Sequence, residues 1–445
     1  MRRYFRFDEL GTNYRTEILA GATTFITMAY IVVVNPLILA GAGIPVGPST
    51  VATILAAFVG TLLMGFYARR PFAIAPYMGE NAFIAVTVVG TLGYTWQQGL
   101  AAIFIGGVLF VALTLLKLRG WLASAASESM KYSFVVGIGL FLTFIGLTDM
   151  GLVVPGAPGG PPVQLGDVTS AHVLLGVLGF FLMAGLMTLR VRGSILISVV
   201  AVTLFANVLV ALFDVAIPSL KSLQGVPISL PPDPTPIMFK LDFGRVFTWG
   251  FIPVLLVVFL MDFMDTMATL IGVSARAGFL DEHGNLPEIE KPMLADAIAT
   301  VVGALVGTTT TGTYIESAAG IEEGGRSGFA SVVTALLFLV ALFFCKFVEA
   351  VPPFAYGPAL VMVGMLMMKP VTHIKFDDLT EVVPCFAVIV LMSFTYNMGV
   401  GMTAGFVLYP LVKIVAGRPR EVTLPMWVLS GLSLLFYVFH YFLKA

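Results

Sequence analysis

The chain has 445 residues, of which 58% are hydrophobic and only 11% charged, and its formal net charge is −1. Apolar surface in that proportion cannot be hidden inside a water-soluble core, so a soluble globular fold is excluded and a membrane protein is expected. A near-neutral chain also lacks the basic face that nucleic-acid binding needs.

The amino terminus MRRYFRFDELGTNYR is basic and runs into a full-length apolar stretch, so the first helix reads as an uncleaved span. A helix needs about 20 mostly apolar residues to cross a ~30 Å hydrocarbon layer. Segments of this kind are predicted at 18–40, 50–68, 73–90, 98–116, 129–148, 170–189 and 194–213. Seven more follow at 248–272, 292–307, 310–321, 327–348, 355–369, 382–396 and 399–416. An odd number of spans per half makes the second half enter the bilayer from the opposite side, the condition for an inverted repeat. The apolar tail 424–442 falls outside this count and is either a fifteenth span or an interfacial helix. Arg2, Arg3, Arg6 and Arg15 place the amino terminus in the cytoplasm. Arg69/Arg70, Lys117/Arg119, Arg190/Arg192, Arg276, Arg326, Lys369/Lys375 and Arg418/Arg420 then fall on the same side, whereas the loop GLVVPGAPGGPPVQLGD has no Lys or Arg. The longest polar connections, 149–169, 214–246 and 276–292, leave no room for a soluble domain, so function must lie in the membrane.

A repeat is visible in the letters. VATILAAFVGTLLMG (51–65) resembles LADAIATVVGALVG (294–307), with Ala52/Ala295, Ala56/Ala299 and Gly60/Gly303 in register, although small residues recur in membrane helices as packing devices in any case. Each is followed by a broken segment centred on a Tyr: APYMGENAF in the first half and GTYIESAAG in the second. The stretch 308–321 is too short to cross as a helix. Thr and Tyr favour extended backbone and Gly312 weakens a helix, so TGTYI is expected to form a short strand, with a half-helix starting around Glu316 and Ser317. Non-helical backbone at that depth must be covered by protein or line a cavity. The segment IAPYMG of the other repeat is the partner that would satisfy it, and two half-helices would then point unpaired amino ends at one place.

Glu316 would sit there as a ligand contact or, in the plainer reading, as a cap of its own half-helix. In VVFLMDFMDTMATLIGV (257–273), Asp262, Asp265, Thr269 and Gly272 share one helical face. A charge at that depth is costly, and with no Lys or Arg in the apolar part of any span these carboxylates need a proton, a bound cation or the substrate. Asp262 is equally readable as a hydrogen-bonding group for nearby backbone, Asn81 as a helix cap beside Glu80, and Asp296 as a first-turn residue that complements a helix dipole. His172, His283, His373 and His440 are dispersed, Cys345 and Cys385 stand alone in apolar runs, and no phosphate loop or HExxH is present, so neither a metal nor a cofactor is expected.

The segments GTNYRTEILAGATTFITMAYIVVVNP, MDFMDTMATLIGV, LADAIATVVGALVGTTTTGTYIESAAGIEEGGRSG and GMTAGFVLYPLVKIVAGRPREV resemble the AzgA-like branch of the nucleobase/ascorbate transporter superfamily, the purine permeases. The resemblance runs from about residue 5 to 425. It implies an all-α polytopic fold of fourteen spans in two inverted repeats, with short antiparallel strands in the third and tenth. It implies a core domain of residues 1–120 and 247–350 and a gate domain of 121–246 and 351–445. It also implies import of a purine nucleobase across the cell membrane by proton symport, with sodium as the alternative ion, and a homodimer. Carried over, Asp265 contacts base or proton, Glu316 hydrogen-bonds the base, and Asn81 is the polar residue of the third span. Tyr77, Glu80, Ala82 and Thr313, near the same cleft, are further expected substrate-binding residues, and Asp262 is expected to join Asp265 and Glu316 in proton coupling. Where the branch reads roughly GMGLNAFF, this chain has YMGENAFI, and FTYNMGVG (394–401) replaces a more usual Ser-Ile-Ala sequence. A carrier of another nucleobase or of a small anion on the same fold, and an intramembrane enzyme using Asp262, Asp265 and Glu316 as acid and base, are the competing readings.

Overall fold

Polar residues mark where the helices start. Asn13, Thr95, Ser127, Ser170, Ser327, Asp378 and Asn397 each accept a backbone N–H at the head of the helix that follows, which satisfies a donor the helix leaves open. The computed structural model describes residues 1–116, 126–213, 217, 228–248, 250–282 and 286–437. Lys117, Arg119, the expected domain boundary at 120/121, His283, His440 and the end of the apolar tail lie outside the described residues.

Among the described residues, ten helices are long and apolar enough to cross a membrane: span 1 (Tyr14–Ala40), span 2 (Val46–Ala68), span 4 (Trp96–Leu115), span 5 (Glu128–Asp149), span 6 (Ala171–Thr188), span 7 (Ser194–Phe213), span 8 (Val254–Ala277), span 11 (Gly328–Glu349), span 12 (Pro353–His373) and span 14 (Met398–Val415). The remaining four of the fourteen are short or broken. Span 9 is Glu290–Val306 and span 13 is Leu379–Phe394. Span 3 opens with strand β1 (Ile74–Pro76) and continues as a helix from Met78 to Thr91. A hairpin of β2 (Val153–Pro155) and β3 (Val163–Leu165) lies in the loop after span 5, where the sequence reading has only irregular chain. Span 10 opens with β4 (Thr311–Thr313) and resumes as a half-helix, Ser317–Glu322. The helix Leu424–Tyr437 packs on span 14; at ~1.5 Å per residue its 14 described residues reach about 21 Å, short of a full crossing.

Spans 1, 2, 4, 8, 9 and 11 pack on one another, as do spans 5, 6, 12, 13 and 14. The loops that carry Arg residues gather on one face: Arg69 lies over the Tyr4 ring, Arg192 pairs with Glu323, and Arg276 pairs with Glu322 at 3.1 Å. Lysines do occur inside spans, at their ends. Lys413, in the last turn of span 14, is buried and held by Glu381 and Glu421 at 2.9 Å each, and Lys131, in the first turn of span 5, pairs with Glu128. Neither is in the apolar middle of its span.

Candidate functional site at the paired strands

The two broken spans meet as expected. Strands β1 and β4 pair antiparallel, with Ile74 opposite Thr313, Ala75 opposite Gly312 and Pro76 opposite Thr311. A two-stranded ribbon leaves both outer edges unpaired, and here a threonine from each preceding span closes one. Thr61 of span 2 donates to the Ile74 carbonyl and accepts the Ile74 N–H, both at 2.9 Å. Thr300 of span 9 donates to the Thr311 carbonyl at 2.9 Å and accepts its N–H at 3.2 Å. Gly60, next to Thr61, and Gly303, one turn after Thr300, leave room for that approach: a Cβ at Gly60 would stand 2.7 Å from Ile74, and one at Gly303 would stand 2.8 Å from the Thr309 carbonyl.

The tyrosines after the strands cross over. Tyr77 donates to the Thr313 carbonyl at 3.0 Å, Tyr314 donates to the Pro76 carbonyl at 2.5 Å, and their rings lie 6.0 Å apart and 14° from parallel. The Tyr77 ring occupies the space a side chain at position 312 would need, which is why glycine stands there.

Beside this ribbon is a cavity of about 140 Å³ with two unlike walls. Tyr30, Tyr77, Asp265, Thr313, Tyr314 and Glu316 give it a polar wall; Ile138 and Leu142 of span 5 and Val363 and Met367 of span 12 give it an apolar one. No Lys or Arg lines it. Glu316 occupies the N-cap position of the span 10 half-helix without capping it, so its carboxylate is left to line the cavity. Tyr30, in the break between the two helices of span 1, donates to Glu316 Oε1 at 2.5 Å. The amino end of this half-helix is not open as expected: the N–H groups of Ser317, Ala318 and Ala319 donate to the carbonyls of Tyr314, Ile315 and Glu316 at 3.1, 3.0 and 3.0 Å.

Asp265 and Thr313 therefore stand with Glu316 and Tyr77 at the cavity, whereas Glu80, Asn81, Ala82 and Asp262 lie behind its wall. Asn81 does not cap a helix. Its amide donates to Asn35, whose own amide donates to Thr53 at 2.6 Å and to Thr308 at 3.0 Å, a buried network that ties spans 1, 2 and 3 to the segment leading into β4. Asp262 faces Asp296 and Thr300 of span 9. Asp296 lies in the second turn of span 9, not the first, and its role is not with the helix dipole: Oδ2 accepts the Thr266 hydroxyl at 2.9 Å and the Thr313 N–H at 3.2 Å, which clamps β4 from behind. Thr269, on the Asp265 face of span 8, meets the Tyr77 hydroxyl at 2.9 Å.

Tyr30 and the four apolar residues of the far wall have no counterpart in the sequence reading, where they look like ordinary packing residues. Tyr314 enters it only as the residue on which the second broken segment is centred, the match of Tyr77, and not as a site residue. A second cavity, of about 360 Å³, is lined by Glu128 and Lys131 of span 5 and by Asp265, Ala268, Ile271 and Gly272 of span 8. Its lining takes in the first turn of span 5 and, on span 8, Gly272, one turn before Arg276, so it lies toward the Arg-rich face, and Asp265 lines both cavities.

Three comparisons bear on this geometry. The model of the Permease family matches residues 15–408. Adenine permease AdeQ of Escherichia coli is 38% identical over 97% of this chain and 95% of its own length. Guanine/hypoxanthine permease PbuG of Bacillus subtilis is 38% identical over 99% of this chain and 100% of its own length. Among solved structures, the transmembrane domain of the cyanobacterial bicarbonate transporter BicA superposes with a TM-score of 0.63 at 17% identity, covering 88% of this chain and 97% of that one, a likeness of fold.

Proposed function

The chain belongs to the xanthine/uracil permease family, in its AzgA-like branch, and from that membership we propose that it imports a purine nucleobase across the cell membrane together with a proton. The observation that carries the reading is the polar wall of the strand-side cavity: a carboxylate at Glu316 held by one oxygen only, a second at Asp265, and near-parallel tyrosine rings beside them. A carboxylate accepts two neighbouring N–H groups of a base edge, and an aromatic face stacks on a planar ring. Two carboxylates without a cationic side chain suit a ligand that donates hydrogen bonds and disfavour a small anion, even though the fold is shared with a bicarbonate transporter. Asp265 and Glu316 bind, Tyr77, Tyr314 and Thr313 shape the wall, and Tyr30 orients Glu316.

In this reading the Arg-rich face is cytoplasmic. Spans 1–4 and 8–11 form the core that carries the site, and spans 5–7 and 12–14 form the gate whose Ile138, Leu142, Val363 and Met367 the core moves past. Protonation removes charge that would otherwise face this apolar surface.

Proteoliposomes with an inward proton gradient are expected to accumulate labelled adenine, guanine, hypoxanthine or xanthine. Competition among the four ranks them. Glu316→Gln keeps the fold, because the side chain caps nothing, and abolishes uptake. Uptake that survives this change at full affinity removes Glu316 from the site, and no accumulation of any base by the wild-type protein removes the function.

A further inference from the structure

We infer that Glu80 holds the transported proton in a pair with Asp265, behind the cavity wall. The inference rests on the proton-coupled reading above and changes the expected part of Glu80, which lines neither cavity. Glu80 is 1% exposed, and the described residues offer neither of its carboxyl oxygens a donor. The side chain it does reach is the carboxyl group of Asp265. Ionised carboxyl groups are acceptors only, so two of them hydrogen-bond each other only through a proton that one of them carries.

Among the described residues no cationic side chain faces the pair to take the place of that proton. The charged and titratable groups that face Glu80 are Asp265 and Asp262 of span 8, Tyr77 of its own segment and Tyr314 of span 10. Span 5 presents Ile138 to the neighbouring Gly79, and span 1 presents Asn35 to Asn81. There is no Lys or Arg among them. The pair therefore has two working states: one proton shared and a net charge of one, or two protons and no charge.

Asp265 is the less buried member and connects the pair to both cavities. A proton from the outer water reaches Asp265 on the substrate side, and the doubly protonated pair lets the loaded core pass the apolar wall without a buried charge. Once the second cavity is open, the proton leaves by way of Asp265 toward Glu128 and Lys131 and the water of the Arg-rich face. No bond of the base is made or broken. Sharing with Glu80 also leaves one Asp265 oxygen for the base.

The test separates exchange from coupled accumulation in proteoliposomes, with tritiated adenine, guanine and hypoxanthine as probes. Wild-type protein that exchanges none of them defeats the proposed function and says so before any variant is read. Glu80→Gln keeps a donor toward Asp265 but has no proton to release; it is expected to retain exchange of internal for external base and to lose accumulation driven by the gradient. Glu80→Leu removes the cost of burying a polar group, folds even where the amide does not, and is expected to behave in the same way. Wild-type accumulation by either variant overturns the inference. So does loss of exchange in both, which would return Glu80 to binding or to the fold.

Discussion

The hydroxyl of Tyr30 fixes one oxygen of Glu316 and leaves the other, Oε2, for a ligand. Hydrogen bonds to charged groups contribute about 1.5–3 kcal/mol, and about 1.4 kcal/mol is a factor of ten in affinity. Tyr30→Phe keeps the ring and removes the donor, so the dissociation constant for the preferred base, measured by titration calorimetry on purified protein, is expected to rise about tenfold or more by that arithmetic. An unchanged constant would show that Glu316 needs no such support. The two partners differ in how plainly the sequence shows them. Glu316 stands out as a lone acid among small polar residues in an apolar chain. Tyr30 lies in ITMAYIVVVNP, where an aromatic residue looks like one more packing group, and 286 positions separate it from Glu316. Glu17 was hidden in the same way: fully buried near the start of span 1, it accepts the backbone N–H groups of Arg326, Ser327 and Ala330 at the head of span 11. Long-range partners of this kind follow from the fold, and one residue's neighbours in sequence do not announce them.

Among the elements, the strand pair was legible because its chemistry is local. Thr, Tyr and Gly in a segment too short for a helix leave little but extended backbone, and membrane depth requires a partner for it. The closure of its edges by Thr61 and Thr300 was not legible, since both read as small residues of ordinary spans. The hairpin β2–β3 sits in a Pro/Gly-rich loop with no alternating pattern to signal it. Register in the central ribbon is set in part by Gly312, over which the Tyr77 ring lies. Gly312→Ala forces that ring aside, and overpacking of this sort costs typically about 1–3 kcal/mol. A lower thermal midpoint in detergent is expected for Gly312→Ala, and Tyr77→Ala in the same chain recovers part of it, because the clash and its cause are removed together. Tyr77→Ala alone also lowers the midpoint, since it loses the bonds to Thr313 and Thr269. If the two losses simply add in the double variant, the ring and the glycine are not in contact and the register argument fails.

At the scale of the whole molecule, the two halves supply matching parts to a single centre: Gly60 and Gly303, and Tyr77 and Tyr314, while Thr61 and Thr300 close the two edges from positions that are not in the same register. Seven spans per half and the Ala/Gly register carried that relation in the sequence. The composition of the apolar wall was not carried, because Ile138, Leu142, Val363 and Met367 differ in no way from lipid-facing residues until the spans are placed. The wall gives the alternating-access proposal its test. The second cavity, between spans 5 and 8, lies toward the Arg-rich face, and Ala268, which lines it, is exposed. Movement of the core past the wall, which would open the strand-side cavity outward, would bring span 8 against span 5 and cover Ala268. The native Cys345 and Cys385 are buried, so a cysteine at 268 can be read over a low background. In Ala268→Cys, a membrane-impermeant maleimide is expected to label inverted vesicles and to leave right-side-out vesicles unlabelled. Saturating base together with an inward proton gradient is expected to slow the labelling, as more of the protein passes through the outward state. Equal labelling from both faces would make the second cavity a permanent channel, and labelling that ignores base and gradient would mean that spans 5 and 8 do not move relative to each other during transport.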